Sequence, residues 1–169
     1  MFKRIDRAIF LTGMFAFAAP ALADDCASAA KGALLNSGRT PVSITMTKID
    51  AQGRKTTTKQ VQTVTNKYVQ TENGKWYAMN IAIKDLVDNL DTAKLTCRRG
   101  GSDTLNGEAV AIYEVQEAVD EALKDNKIWV SSRNLILKAE GNTDGAHYTL
   151  LYDYAHITPP ANAVSMGGG

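Results

Sequence analysis

From Pro41 onward the chain is a succession of short stretches in which apolar and polar residues alternate, separated by turn-forming residues. Val42-Ser-Ile-Thr-Met-Thr-Lys repeats every two positions, the spacing of a half-buried strand. Asp50-Ala-Gln-Gly then reads as a turn, and residues 55–64 form a strand rich in Thr, Gln and Val, one face of which must be wet. Its few large apolar side chains make this strand the expected edge of the sheet. Asn73-Gly74 separates residues 67–72 from 75–81, and Asn106-Gly107 separates 103–105 from 108–115. Asn-Gly tolerates the positive φ angles of a tight two-residue hairpin, so both pairs predict one. Arg99-Gly-Gly-Ser reads as a further turn. Residues 127–132 turn at Arg133-Asn134 into 135–140, a turn over 141–145 leads into 147–154, and Ile157-Thr-Pro-Pro closes the domain.

Helical spacing occurs in fewer places. Asp24 or Asp25 can cap an Ala-rich helix over 26–35, stopped around Asn36-Ser37-Gly38. Ile83, Leu86, Val87 and Leu90 predict a second, short helix within 83–95, and residues 119–125 can add a helical turn. About eight strands joined by hairpins, with one helix early and one midway, predict an α+β fold. Its core is a strongly curved antiparallel sheet, an incomplete β-barrel with helix on the concave side.

The first 23 residues have a different texture. Lys3, Arg4 and Arg7 precede an apolar run over 8–18, Pro20 follows, and Ala21-Leu22-Ala23 places small residues where signal peptidase reads. The apolar run is shorter than the roughly 20 residues that cross a bilayer, so a cleaved secretory leader is expected rather than an anchor. Asp24 and Asp25 stand between Ala23 and Cys26, which keeps that cysteine out of the position a lipid anchor requires. The expected product is an unlipidated periplasmic protein: one domain over 24–160, a disordered tail over 161–169, and no stable membrane insertion. In an oxidising compartment Cys26 and Cys97, the only two cysteines, are expected to form one structural disulfide, two buried thiols being the alternative.

Charge and motifs remove several classes. The leader holds three of the 19 basic residues and one of the 18 acidic ones, which leaves 16 against 17 and a net charge of about −1. Nucleic-acid binding would need a basic stripe that this balance does not supply. His147 and His156 have no Asp, Glu or Cys cluster at metal-ligand spacing. No serine sits in a Gly-x-Ser-x-Gly elbow, and no Lys-Ser/Thr follows the paired glycines as in a phosphate loop. Asp85, Asp88 and Asp91 read as a solvated helix face. No catalytic residue, metal ligand or cofactor site is expected.

The aromatics carry more information. Several predicted strands are apolar on both faces, notably Trp76-Tyr-Ala-Met, Ile128-Trp-Val and Leu135-Ile-Leu. A filled core with aromatic pairs outside it, and a sheet lining an apolar cavity, give this same pattern. The residues expected to line such a cavity are Trp76, Tyr77, Met79, Tyr113, Trp129, Leu135, Leu137 and Leu151.

Lys127-Ile-Trp-Val-Ser-Ser-Arg-Asn-Leu-Ile-Leu-Lys-Ala-Glu, followed by Tyr152-Asp-Tyr-Ala-His-Ile-Thr-Pro-Pro, resembles the LolA/LolB-like superfamily of periplasmic lipoprotein-sorting and lipid-binding proteins. In that group a Trp-bearing strand turns into a Leu-x-Leu-Lys strand, and a Tyr-Asp-Tyr strand ends in proline. The order of elements agrees over most of the chain, while the specific residues lie within 127–160. The resemblance implies a half-barrel closed by helices that holds an acyl chain or other hydrophobe. The chain departs from the group in lacking a match to the cavity arginine of the lipoprotein carriers and the lipid anchor of LolB-type proteins. Two functions therefore remain in view: a non-enzymatic periplasmic carrier of a lipid or other hydrophobic ligand, or an envelope interaction protein with a packed core.

Overall fold

The computed structural model describes residues 23–80, 95–117 and 126–166. The leader over 1–22, the second helix expected within 83–95 and the helical turn expected at 119–125 fall outside or largely outside these residues. The described chain forms one helix, α1 (Ala23–Arg39), followed by ten strands. These are β1 (Val42–Ile49), β2 (Lys55–Gln62), β3 (Lys67–Gln70), β4 (Trp76–Met79), β5 (Leu95–Leu105), β6 (Glu108–Glu117), β7 (Asn126–Ser131), β8 (Ile136–Thr143), β9 (Ala146–Asp153) and β10 (Val164–Ser165). All ten belong to one open sheet in the order β10-β4-β3-β2-β1-β9-β8-β7-β6-β5.

Three local expectations are revised. Arg99-Gly-Gly-Ser is not a turn: β5 runs through it, with a register shift between Arg99 and Gly101 against β6. Gly101, at φ 119, takes up the extra residue in a bulge that a side chain would resist. Strand β2 is not an edge, because it pairs with both β1 and β3. Its polarity comes from one wet face, not from an unpaired side. Val164 and Ser165, within the segment expected as a tail, pair in parallel with Tyr77 and Ala78.

The hairpins are where the Asn-Gly pairs place them, with one difference in turn shape. Asn106 and Gly107 have φ 51 and 81, as a two-residue turn requires. At the other pair only Gly74 has positive φ, while Asn73 Oδ1 accepts the Lys75 N–H at 3.2 Å, so the loop over 71–75 is wider.

Helix α1 lies on one face of β5, β6, β7 and β8, here the inner face. Ala30 and Ala33 are fully buried, and their small side chains let the helix settle against Val115, Ile128, Val130 and Ile136. Gly32 serves the same approach, since a Cβ there would stand 2.9 Å from the Asn134 side-chain nitrogen. The C-terminal turn is fastened by polar contacts: Ile136 N–H donates to Ser37 Oγ at 2.8 Å, and Gln62 Nε2 donates to the Gly38 carbonyl at 2.8 Å. At the other end the Cys26–Cys97 disulfide ties α1 to β5, with Cα atoms 5.7 Å apart.

Candidate functional site

In an antiparallel pair, directly opposed residues point to the same side, so the register sorts every strand residue onto one of two faces. Tyr113, Ile128 and Ala139 pack beneath α1, and the same row continues through Leu150, Met46 and Thr58. A second inner row runs Tyr152, Ile44, Gln60, Val69 and Tyr77. Helix α1 covers the β5–β8 part of this face. Beyond it, Leu150, Met46, Ile44, Val69, Tyr77 and Met79 carry the apolar surface onward across β9, β1, β3 and β4, each half-buried.

The inner face changes character toward the β1–β2 turn. There the row is Gly141, Tyr148, Lys48 and Thr56, with the Lys48 ammonium 5.8 Å from the Tyr148 ring centroid. A Cβ at Gly141 would collide with the Asn126 side chain, so the glycine makes room for that carboxamide in the same row. At the opposite end of the face, burial and the neighbouring Tyr154 push the Tyr152 hydroxyl up to about 12. The two rings stack with centroids 6.4 Å apart, and the Tyr154 hydroxyl donates to the Ile136 carbonyl at 2.9 Å.

The outer face is polar where the inner one is apolar. Arg98, Glu114, Lys127 and Glu140 follow one another across β5 to β8, and Thr149, Thr47 and Thr57 continue the row. Arg98 Nε donates to Glu114 at 2.8 Å, which holds the Glu114 carboxyl below its usual range, and Lys138 Nζ lies 2.6 Å from Glu140. Exposed pairs of this kind contribute little stability, so the row marks a solvated surface. Trp129 is embedded in it, only 6 % exposed, with its indole N–H donating to Asp103 at 3.2 Å and the Lys138 ammonium 4.2 Å from its ring centroid.

The eight residues expected to line one cavity are therefore divided. Tyr77, Met79 and Tyr113 face inward, whereas Trp76, Trp129 and Leu151 lie on the outer face. Leu137 occupies the irregular step where β7 and β8 shift register, and Leu135 is buried in the β7–β8 turn with its N–H on Ser131 Oγ at 3.3 Å. Consecutive strand residues such as Trp76 and Tyr77 cannot share a face, and apolar character alone does not reveal which one looks inward. The inner residues Ile44, Met46, Lys48 and Leu150 were visible only as members of alternating strands.

Two open grooves are present among the described residues. One, of about 640 Å³, has Leu105, Leu137 and Leu151 with Glu108, Arg133 and Asp153 among its lining residues. The other, about 540 Å³, lies at the ends of β5, β6 and β7 around Thr96, Arg98, Glu114 and Lys127. The histidines sit at the surface: His147 Nδ1 is 3.1 Å from Asn142 Oδ1, and His156 Nδ1 is 3.0 Å from Asp153 Oδ2. Among the described residues no three His, Cys, Asp or Glu side chains converge as a metal site. No helix among them is long and apolar enough to cross a membrane.

No family model matches the chain, and no curated protein matches it by sequence. Solved structures do match in three dimensions. The lipoprotein LppX of Mycobacterium tuberculosis superposes with a TM-score of 0.50 at 8 % identity, over 78 % of this chain and 96 % of that one. MucB in the MucA/MucB complex of Pseudomonas aeruginosa matches with a TM-score of 0.51 at 12 % identity, over 78 % of this chain and 59 % of that one. The fold is LolA-like. A LolA superfamily protein of Nitrosomonas europaea also matches, more loosely, with a TM-score of 0.33 at 12 % identity over 79 % of this chain and 95 % of that one. At such identities the likeness is one of architecture. The chain spans well under two thirds of the MucB chain in that complex, and the ligands and partners of these proteins are not transferred by it.

Proposed function

We propose that this protein is an exported, non-enzymatic periplasmic carrier that holds a lipid or other hydrophobic ligand against the inner face of its sheet. The observation that carries this reading is the apolar surface of Leu150, Met46, Ile44, Val69, Tyr77 and Met79, which continues past the part of the face that α1 covers. An apolar concave surface with a few polar groups at its margin is the usual make-up of a small-molecule site. The leader, the Cys26–Cys97 disulfide and the LolA-like architecture support export and the same kind of ligand. A cleaved, unlipidated N-terminus at Asp24 completes the proposal. Native mass spectrometry of protein purified gently from periplasm is expected to show a species heavier than the mature chain by one lipid-sized mass, released by organic extraction. A single apo species, with no fatty acid taken up on addition, would overturn the carrier reading.

A second reading, an envelope interaction protein, is favoured by one observation. Strand β5 ends the sheet order and pairs only with β6 among the described residues, leaving a long edge on which a partner strand could add.

A further inference from the structure

The apolar inner face is not uniform, and its one polar row carries a cation. Lys48 points inward because it is opposed to Thr56 on β2 and Tyr148 on β9. Its ammonium lies 5.8 Å from the Tyr148 ring centroid, and among the described residues no carboxylate forms an ion pair with it. The acids nearest to it are engaged elsewhere. Asp50 accepts the backbone N–H groups of Gln52 and Arg54, each at 2.9 Å, and the Arg54 side chain at 2.6 Å. Glu140 lies on the outer face against Lys138. Beside Lys48 the row offers the Tyr148 and Thr56 hydroxyls, and Gly141 admits the Asn126 carboxamide.

We propose that Lys48 receives the anionic headgroup of an amphiphile whose apolar chain lies over Met46, Leu150 and Ile44. The proposal rests on the hydrophobic-ligand reading above and adds to it a headgroup charge and a direction. From Lys48 back to Ile44 the strand runs about 13 Å, so head and chain subsites adjoin along β1. A lysine at the margin of an apolar surface lays its methylenes along that surface and presents its charge at the rim. The compact ammonium is a point charge with no demand for a planar, bidentate partner, so it accepts a carboxylate or a phosphate alike. The shared chemistry is a single anionic head on an aliphatic chain.

The test is calorimetric titration of the delipidated mature protein with dodecanoate, dodecyl phosphate and dodecanol at neutral pH. At least one of the two anions is expected to bind about tenfold tighter than the alcohol. That preference is expected to disappear in Lys48→Met, to persist in Lys48→Arg, and to be unchanged in Lys59→Met on the outer face. Acetate and inorganic phosphate, which lack the chain, are expected to bind too weakly to measure. If acid, phosphate and alcohol bind the wild type equally, or if Lys48→Met keeps the preference, Lys48 is not the headgroup site while the hydrophobic-ligand reading stands. If none of the three binds, that reading falls and this one falls with it.

Discussion

Tyr152 shows how one side chain reports the packing of the inner face. It abuts the core under α1 and stacks on Tyr154, and its hydroxyl is pushed from an ordinary 10.0 up to about 12, chiefly by burial. The charged form is the one burial disfavours, so the folded state holds its proton when the unfolded chain has released it. The stabilisation is complete below about pH 10 and is lost as pH rises through about 12. Unfolding in urea at a series of pH values should show stability falling across this window by an amount on the order of 2 kcal/mol. Tyr152→Phe should reduce that fall, and an unchanged profile would mean the hydroxyl is not desolvated. Such a role was not readable from Tyr152-Asp-Tyr as a string. The burial arises from α1, more than a hundred residues earlier in the chain, and the alternation of strand residues gives no hint of which ring it covers.

Among the elements, α1 depends most on a covalent tie. Its alanines bury little surface apiece, and a helix of 17 residues with so small an apolar stripe is held by what it docks on. The disulfide closes a separation of 71 residues between α1 and β5, which in the chain-entropy account corresponds to roughly 4 kcal/mol. Replacing both cysteines by serine should lower the unfolding free energy by up to about that amount in chemical denaturation. A loss below ~1 kcal/mol would place the stability of α1 in its noncovalent contacts, such as Ser37 to Ile136. The pairing itself was readable from two cysteines and an oxidising compartment, and the helix from its alanines. The reach of β5 was not, because paired glycines signal turns and bulges alike, and only the partner strand decides between them.

At the scale of the whole molecule, the order of elements was legible and the assignment of faces was not. Hairpin signals at Asn73-Gly74, Asn106-Gly107 and Arg133-Asn134 fall between strands that do pair, and these local signals suffice for a meander. Which side of the meander receives α1 depends on long-range docking, so the eight expected cavity residues were drawn from both faces. The same ambiguity hid Lys48, which reads as the polar end of an alternating strand until the register turns it inward beside Tyr148. Leu150 and Leu151 make this partition directly testable. They are adjacent in sequence, yet Leu150 belongs to the inner apolar row and Leu151, 49 % exposed, to the outer face. The most direct measurement is uptake of a fluorescent fatty acid by the delipidated wild type, Leu150→Arg and Leu151→Arg, with thermal melts to establish that each is folded. Stoichiometric uptake by the wild type and Leu151→Arg, with at least tenfold weaker uptake by Leu150→Arg, is the predicted result. Uptake that is absent from the wild type, or lost on Leu151→Arg and kept on Leu150→Arg, would contradict a hydrophobic ligand on the inner face.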